Sequence, residues 1–369
     1  GIDVLIDQHL DLLRGRPAGL ISNASGVTND LINDVDALLC EPGVQLIALF
    51  GPEHGLNSAA ADGAPVESGV DVHTALPVFS LYGDMLRPTA EALDGLEVLI
   101  FNIQSVGVRF YTYTTTLLYT MQAAAEHGLA YVVCDRPNPI GGEIVEGPVL
   151  QPGFESFVGP GPLPIRHGLT IGELAQLYNT AWDVGCDLTV VPCAGWQRNM
   201  WFDDTHLPWV PPSPAMPWPE TAIVYPSTCL VEGTNLSEGR GTALPFHLVG
   251  APWVDGRLVA EELNHQGIPG VRFHRATFRP AADKWAGELC GGVQLHVTDR
   301  NVFRPVTAGL HLLQTVRALY PDEFEYRVSG RDGSRPHIDL LMGTDQVRQT
   351  LGDGRSVSDL VENWTSGLD

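Results

Sequence analysis

Six short apolar runs punctuate the first half of the chain: Ala18–Ser22, Gln45–Phe50, Val78–Leu81, Val98–Ile103, Tyr131–Cys134 and Leu188–Val191. Each has the length of a strand. Several are apolar throughout, as strands covered on both faces must be. Amphipathic stretches lie between them, which is the pattern of βαβ units around a parallel sheet. Two of the intervening helices carry recognisable ends. Thr170-Ile171-Gly172-Glu173 has the T-x-x-E form of a capping box and opens a periodic run through Leu174, Leu177, Tyr178 and Trp182. Another runs from about Thr115 to His127 and stops at Gly128, a residue suited to closing a helix.

Four of these strands end in polar sequence. The first leads into Ser22-Asn23-Ala24-Ser25-Gly26, and the second into Gly51-Pro52-Glu53-His54-Gly55. A third continues as Asn102-Ile103-Gln104-Ser105 and on through Arg109, Tyr111 and Tyr113, and a fourth as Asp135-Arg136-Pro137-Asn138. In a parallel sheet these ends share one edge, where ligands of open α/β folds bind. Taken singly, each has a structural alternative. Asn23 suits a left-handed turn, Asp135 and Arg136 a turn ion pair, and the two tyrosines half-buried positions. Taken together, they predict a crevice lined by carboxylates, amides, arginines and tyrosines.

Trp209 to Glu220 holds five prolines and is excluded from helix interior or central strand. It reads as a linker, as a rigid wall offering Trp209 and Trp218 to a sugar ring, or as both. Beyond it the pattern becomes α+β. A helix is expected around Glu261–Gln266, strands at Val271–Phe278 and Val293–Thr298, and helices near Ala308–Tyr320 and Ser356–Trp364. The polar, glycine-rich stretch from Glu232 to Thr242 lacks periodicity. It reads either as a helix cap with a surface loop or as a segment closing over a site.

The chain of 369 residues is long enough for two domains. Its formal charge of −23 argues against a nucleic-acid or anionic-membrane partner. No stretch approaches the roughly 20 apolar residues of a membrane span. The six cysteines show no metal-binding spacing and read as free thiols. No GxxxxGK[ST], GxGxxG after the first strand, HExxH or GxSxG occurs, so nucleotide, zinc-protease and serine-hydrolase chemistry lack support. The chain begins at Gly1 without an initiator methionine, as a processed or trimmed form would. Secreted, periplasmic and cytoplasmic locations, and the oligomeric state, stay open.

GPEHG, IQ-x-VG-x-RFYTY, DRPNPIGG followed by VEGP, RHGLTIGELA, LPWVPPSPAMP and EGTNLSEGRGT occur in this order. They resemble the NamZ-type exo-β-N-acetylmuramidases, formerly a domain of unknown function, over nearly the whole chain. The resemblance implies a Rossmann-like catalytic domain over 1–220, a smaller α+β auxiliary domain over 221–369 and an active cleft between them. It implies hydrolysis that releases N-acetylmuramic acid from the non-reducing ends of peptidoglycan fragments, without cofactor or metal. The substrate partner is then a peptidoglycan-derived sugar or muropeptide.

Within that frame Glu53 is the expected general acid. Glu232 is ranked as the second catalytic group, ahead of Glu238 and Glu146. If no second carboxylate faces the anomeric carbon, the substrate acetamide or Tyr111 takes its place. A carboxylate separation of about 5–5.5 Å would favour retention and about 6.5–9.5 Å inversion. The expected substrate-binding set is Asn23, His54, Arg109, Tyr111, Tyr113, Asp135, Arg136, Asn138, Asn235, Glu238 and Arg240. Arg109, Arg136 and Arg240 are the candidates for the lactyl carboxylate. One departure stands out: where the family usually shows Asp-Ile-Gln-Asp, this chain has Asn102-Ile103-Gln104-Ser105. Two alternatives follow, a glycosidase for another amino sugar or uronic-type sugar, and a two-lobed carbohydrate-binding protein without catalysis.

Overall fold

The computed structural model describes residues 1–61, 63–328 and 335–365, the side chains of Asn363 and Thr365 aside. The chain forms two units. One comprises Gly1–Gly107, Tyr111–Glu143 and Gly168–Pro219; the other comprises Val108–Phe110, Ile144–His167 and the described residues from Glu220 onward.

The first unit is built on a seven-stranded sheet: β1 (Pro17–Ser22), β2 (Gln45–Gly51), β3 (Gly69–Val70), β4 (Pro77–Ser80), β5 (Val98–Asn102), β6 (Ala130–Cys134) and β7 (Asp187–Val191). The six runs read from the sequence match six of these strands to within one residue at each end. The order across the sheet is β3-β4-β2-β1-β5-β6-β7. All neighbours are parallel except β3, a two-residue antiparallel addition to β4 that its exposed glycine and valine did not announce. With β3 set aside, the six parallel strands have the doubly wound order 3-2-1-4-5-6, so the direction of winding reverses between β1 and β5. Leu20 lies beside Leu49 and Ile100 in the ladder, and all three are fully buried.

The helices of this unit are α1 (Ile2–Gln8), α2 (Asp34–Leu39), α3 (Tyr113–His127) and α4 (Ile171–Ala181). The capping box at α4 forms as its sequence predicts, with Glu173 N donating to Thr170 Oγ1 and Thr170 N to Glu173 Oε2. Gly128 closes α3 at φ +66°.

In the second unit β8 (Leu248–Ala251), β9 (Val271–Phe278) and β10 (Cys290–Val297) form an antiparallel sheet in the order β8-β10-β9. The described helices are α5 (Pro219–Thr228, its first residue belonging to the other unit), α6 (Gly256–His265), α7 (Pro305–Leu319), α8 (His337–Met342), α9 (Gln346–Gly352) and α10 (Val357–Thr365). The strand expected at Val293 begins three residues earlier because Gly291 and Gly292 belong to it. A Cβ on Gly292 would stand 2.0 Å from the Val249 carbonyl oxygen, so only glycine lets the backbones come this close. Helix α7 starts at Pro305 rather than near Ala308, with Val306 and Thr307 N–H capped by the distant Glu146 carboxylate. Among the described residues no helix is long and apolar enough to cross a membrane. All six cysteines are free thiols.

Two buried ionisable groups carry consequences for stability. Arg109 is fully buried in the second unit and donates to the carbonyls of Pro148, Leu163 and Leu341. Burial alone brings it down to about 9. Arg109 thus staples three chain segments through their carbonyls. Arg109→Met would leave those acceptors unsatisfied and should cost about 3 kcal/mol or more, read as a lower urea midpoint. An unchanged midpoint would contradict the staple.

In the first unit Asp34, at the start of α2, is fully buried. Its Oδ2 accepts from Ser22 Oγ at 2.6 Å and Asn102 Nδ2 at 2.8 Å, while Oδ1 has no partner among the described residues. Burial raises this carboxyl to about 6, against the hydrogen bonds from Ser22 and Asn102. Between about pH 4 and 6 the folded chain therefore holds a proton that the unfolded chain has lost, and stability falls as pH rises through this window. The fall amounts to roughly 3 kcal/mol at most. Asp34→Asn should remove that slope in urea titrations at successive pH values; an identical slope in the variant would refute the assignment.

Candidate active site

The reversal of winding between β1 and β5 creates the crevice in which such sheets bind ligands, and polar side chains tie its two sides together. Asn23 follows β1. Its Oδ1 accepts from Ser25 N and Ser25 Oγ, an Asx turn, and its Nδ2 donates to the Pro212 carbonyl at 2.9 Å. Ser25 Oγ in turn accepts from Gln104 N, just beyond β5, at 3.0 Å. The Pro212 carbonyl also receives the hydroxyls of Tyr113 (2.6 Å) and Ser58 (3.1 Å). The proline-dense segment is thus an irregular, anchored strap before α5 begins. Trp209 is pinned by its indole N–H to Met216 O and by an edge contact with Phe202, whereas Trp218 is 60% exposed.

Glu53 sits beyond β2, beside β1. A Cβ on Gly51 would lie 2.8 Å from Leu56 N, so the chain can turn this tightly only with glycine there. The Glu53 side chain is 7% exposed. Its Oε2 accepts from Thr112 Oγ1 at 2.7 Å, and its Oε1 has no hydrogen-bond partner among the described residues. The Tyr113 hydroxyl also lies 3.4 Å from the Glu53 carbonyl, but its single proton goes to Pro212 at the shorter distance. Tyr111 packs edge-to-face on Tyr113, with centroids 4.8 Å apart. Burial, with Tyr111 and Glu53 adding to it, holds the Tyr113 phenol well above its ordinary range.

His54 occupies the left-handed region at φ +70°, a strained conformation for a residue with a side chain. Its Nδ1 lies 2.8 Å from the Ala60 carbonyl, which can only accept, so that nitrogen carries a proton.

On the far side of β1, Asn102 joins Asp34 to Arg136. Its amide donates to Asp34 and accepts from Arg136 Nε at 2.8 Å, while Arg136 Nη2 donates to Val27 O. An asparagine does both at once; an ionised aspartate at 102 would meet Asp34 without a proton to offer. Burial lowers Arg136, and Asp34 opposes this. Arg136 lines a cavity of about 360 Å³, together with Gln104, Pro137, Trp196 and Phe202, and Glu53 is not part of its wall.

Asp135 and Asn138 are committed to backbone. Asp135 accepts from Gly172 N, Thr170 Oγ1 and Arg136 N, which holds the start of α4. Burial nevertheless raises its carboxyl above the usual range. Asn138 accepts from Ile140 N and donates to Leu169 O.

The remaining expected residues lie in the second unit, Arg109 among them. Glu232, on a 3₁₀ turn, pairs with Arg240 Nη2 at 2.6 Å. Arg240 Nε and Lys284 Nζ flank Glu238 at 3.1 and 2.7 Å, and the Arg240 guanidinium lies over the Phe246 ring. Burial pushes Glu238 upward, yet the two cations outweigh it and hold the carboxyl below its ordinary range. Asn235 clamps the backbone of Glu323 and Glu325. Glu146 caps α7.

The structure therefore gathers Asn23, Glu53, His54, Tyr111 and Tyr113 around the strand ends of the first unit. Asn102 and Arg136 stand on the other side of β1. Arg109 and the Glu232–Arg240–Glu238 set belong to the second unit. Thr112, Asp34 and Lys284 were not singled out from sequence. Thr112 stood in the RFYTY motif, where its register opposite Glu53 is a tertiary fact. Among the described residues no group of three or more His, Cys, Asp or Glu side chains is placed to hold a metal ion.

Comparison with known proteins accords with this geometry. The model of the N-terminal part of exo-β-N-acetylmuramidase NamZ matches residues 18–220, and that of its C-terminal part matches 223–369. The chain is 47% identical over 368 residues to the peptidoglycan β-N-acetylmuramidase NamZ of Bacillus subtilis (strain 168), covering 100% of this chain and 87% of that protein. Two solved structures of DUF1343 family proteins from Bacteroides fragilis NCTC 9343 superpose on it. One has a TM-score of 0.90 at 36% identity, covering 100% of this chain and 94% of that one. The other has a TM-score of 0.76 at 30% identity, covering 97% and 92%. The chain belongs to the exo-β-N-acetylmuramidase NamZ family.

Proposed function

We propose that this chain is a glycoside hydrolase that releases N-acetylmuramic acid from the non-reducing ends of peptidoglycan fragments, with Glu53 as the proton donor. The observation that carries the acid is the Glu53 carboxyl itself, at a strand end beside the winding reversal, with one oxygen held by Thr112 and the other without a partner among the described residues. The 47% identity to a peptidoglycan β-N-acetylmuramidase supports the substrate.

In the proposed reaction the protonated Oε1 of Glu53 gives its proton to the glycosidic oxygen as the C1–O bond breaks. Positive charge then spreads over C1 and the ring oxygen. Water supplies the hydroxyl that ends on C1, and the proton it gives up is taken by a carboxylate of the pair, so that Glu53 regains the proton it donated. Glu232 is proposed as the second carboxylate. Its ion pair with Arg240 suits it to the roles of base or nucleophile rather than proton donor. Asn23, His54, Tyr111 and Tyr113 are proposed to contact the sugar. Of the three candidate arginines, Arg136 is proposed for the lactyl carboxylate, because Arg109 serves backbone carbonyls and Arg240 serves two glutamates. Residues 1–220 are proposed as the catalytic part and 221–369 as auxiliary.

Turnover of the disaccharide in which N-acetylmuramic acid is β-linked to N-acetylglucosamine tests the reading. Glu53→Gln should lower kcat by about 10²–10⁴-fold with the melting temperature retained. Undiminished turnover would remove Glu53 from the chemistry, and wild-type binding without turnover would favour the carbohydrate-binding alternative. Glu232→Gln should also lower kcat at least tenfold. The anomer first released, followed by proton NMR, reports retention or inversion.

A further inference from the structure

Thr112 occupies the N-cap position of α3, where a threonine hydroxyl ordinarily accepts a hydrogen bond from the first turn of its own helix. Here it caps nothing. Its backbone is already helical (φ −56°, ψ −16°), and no side-chain capping bond forms. The Thr112 carbonyl accepts from Thr115 N and Thr116 N, while Thr114 N is taken by the Tyr111 carbonyl. The N–H groups of Thr114 and Thr115 in the first turn are therefore met by backbone. The hydroxyl points instead to Glu53 Oε2 at 2.7 Å, across 59 residues of sequence.

Glu53 has two oxygens in different settings. Oε2 is bound by this hydroxyl, and Oε1 has no partner among the described residues although the side chain is 7% exposed. The other groups facing Glu53 are the Tyr113 phenol, whose proton goes to Pro212, and Tyr111 behind it. The neighbouring His54 ring is turned to the Ala60 carbonyl. Among these side chains Thr112 alone is within hydrogen-bond distance of the carboxyl.

We propose that Thr112 is a positioning residue for Glu53: its hydroxyl fixes Oε2, which leaves Oε1 as the oxygen that delivers the proton. The inference rests on Glu53 being the proton donor. When Oε1–H protonates the leaving oxygen and C1–O breaks, Glu53 becomes a carboxylate, and Thr112 Oγ1–H donates to Oε2 as the negative charge forms there. Before the transfer the same hydroxyl keeps the carboxyl from rotating Oε1 away. The hydroxyl donates to Oε2 in both states, so it need not rearrange during the transfer. The contribution grows with the charge on Glu53, so it belongs to the bond-breaking step and not to sugar binding.

The test compares leaving groups that differ in their need for a proton. A dinitrophenyl β-N-acetylmuraminide departs with little protonation, whereas the N-acetylglucosamine of the natural disaccharide requires it. Thr112→Val, close in shape but without a hydroxyl, should lower kcat on the disaccharide about 10- to 100-fold and on the dinitrophenyl glycoside less than threefold, with KM unchanged. Thr112→Ser restores the hydroxyl and should stay within threefold of wild type on both. Equal losses on the two substrates in Thr112→Val, or a Thr112→Ser no better than Thr112→Val, would overturn the inference by showing a structural role. Wild-type kcat in Thr112→Val would overturn it as well. Glu53→Gln run alongside separates the two claims. If it loses the disaccharide activity while Thr112→Val does not, the positioning role alone fails. If it keeps that activity, the acid assignment fails and this inference with it.

Discussion

The strand-end geometry of the first unit hangs on one acceptor, the carbonyl of Pro212. Asn23 from the end of β1, Tyr113 from the start of α3 and Ser58 from the loop after β2 all donate to it. Proline gives that segment a backbone of few alternatives, so one oxygen can serve three donors from separate parts of the fold. Asn23 passes the constraint on through Ser25 to Gln104 beyond β5. Asn23 and Tyr113 are buried, and their donors would be costly to leave unmet. Together they hold the winding reversal rigid enough to present Glu53 and the two tyrosines in fixed relation. Replacement of any one donor is transmitted to the others because they share the acceptor.

The two sides of β1 hold charge in different ways. Near Glu53 the polar groups are the hydroxyls of Thr112 and Tyr113 and the His54 imidazole. Near Arg136 the charges are fixed in a relay, Asp34 to Asn102 to Arg136, with the amide as a spacer between acid and guanidinium. Asn102 satisfies both neighbours, which an ionised aspartate at that position could not. The buried Ser105 Oγ has no partner among the described residues.

Much of the first unit was legible because its signals are local. Val98–Asn102 and Ala130–Cys134 are uninterrupted apolar strands, and the Thr170–Glu173 capping box is complete within four residues. The polar strand ends were legible as a set because the parallel arrangement places them on one edge. What could not be read is held by distant partners. Glu146 read as a lower-ranked choice for the second catalytic group, and nothing local in its sequence announced that the fold brings it to the N-terminus of α7, 160 residues on. Arg109 lay in the most recognisable motif of the chain, yet three residues of that motif, 108–110, join the second unit. Glu238 and Arg240 read as loop residues open to a ligand, and the unforeseen Lys284 completes their ion-pair set. Strand β10 was shortened in prospect because Gly291 and Gly292 weaken a strand signal for the same reason they are needed, close backbone approach.

The central claim is that Glu53 acts by giving a proton to the leaving oxygen. The most direct measurement is the ratio of kcat for the natural disaccharide to kcat for the dinitrophenyl glycoside in wild type and Glu53→Gln. Proton donation predicts that the ratio falls by about two orders of magnitude or more in the variant, because only the disaccharide needs the acid. A ratio that stays at its wild-type value, with both rates reduced alike, would contradict it.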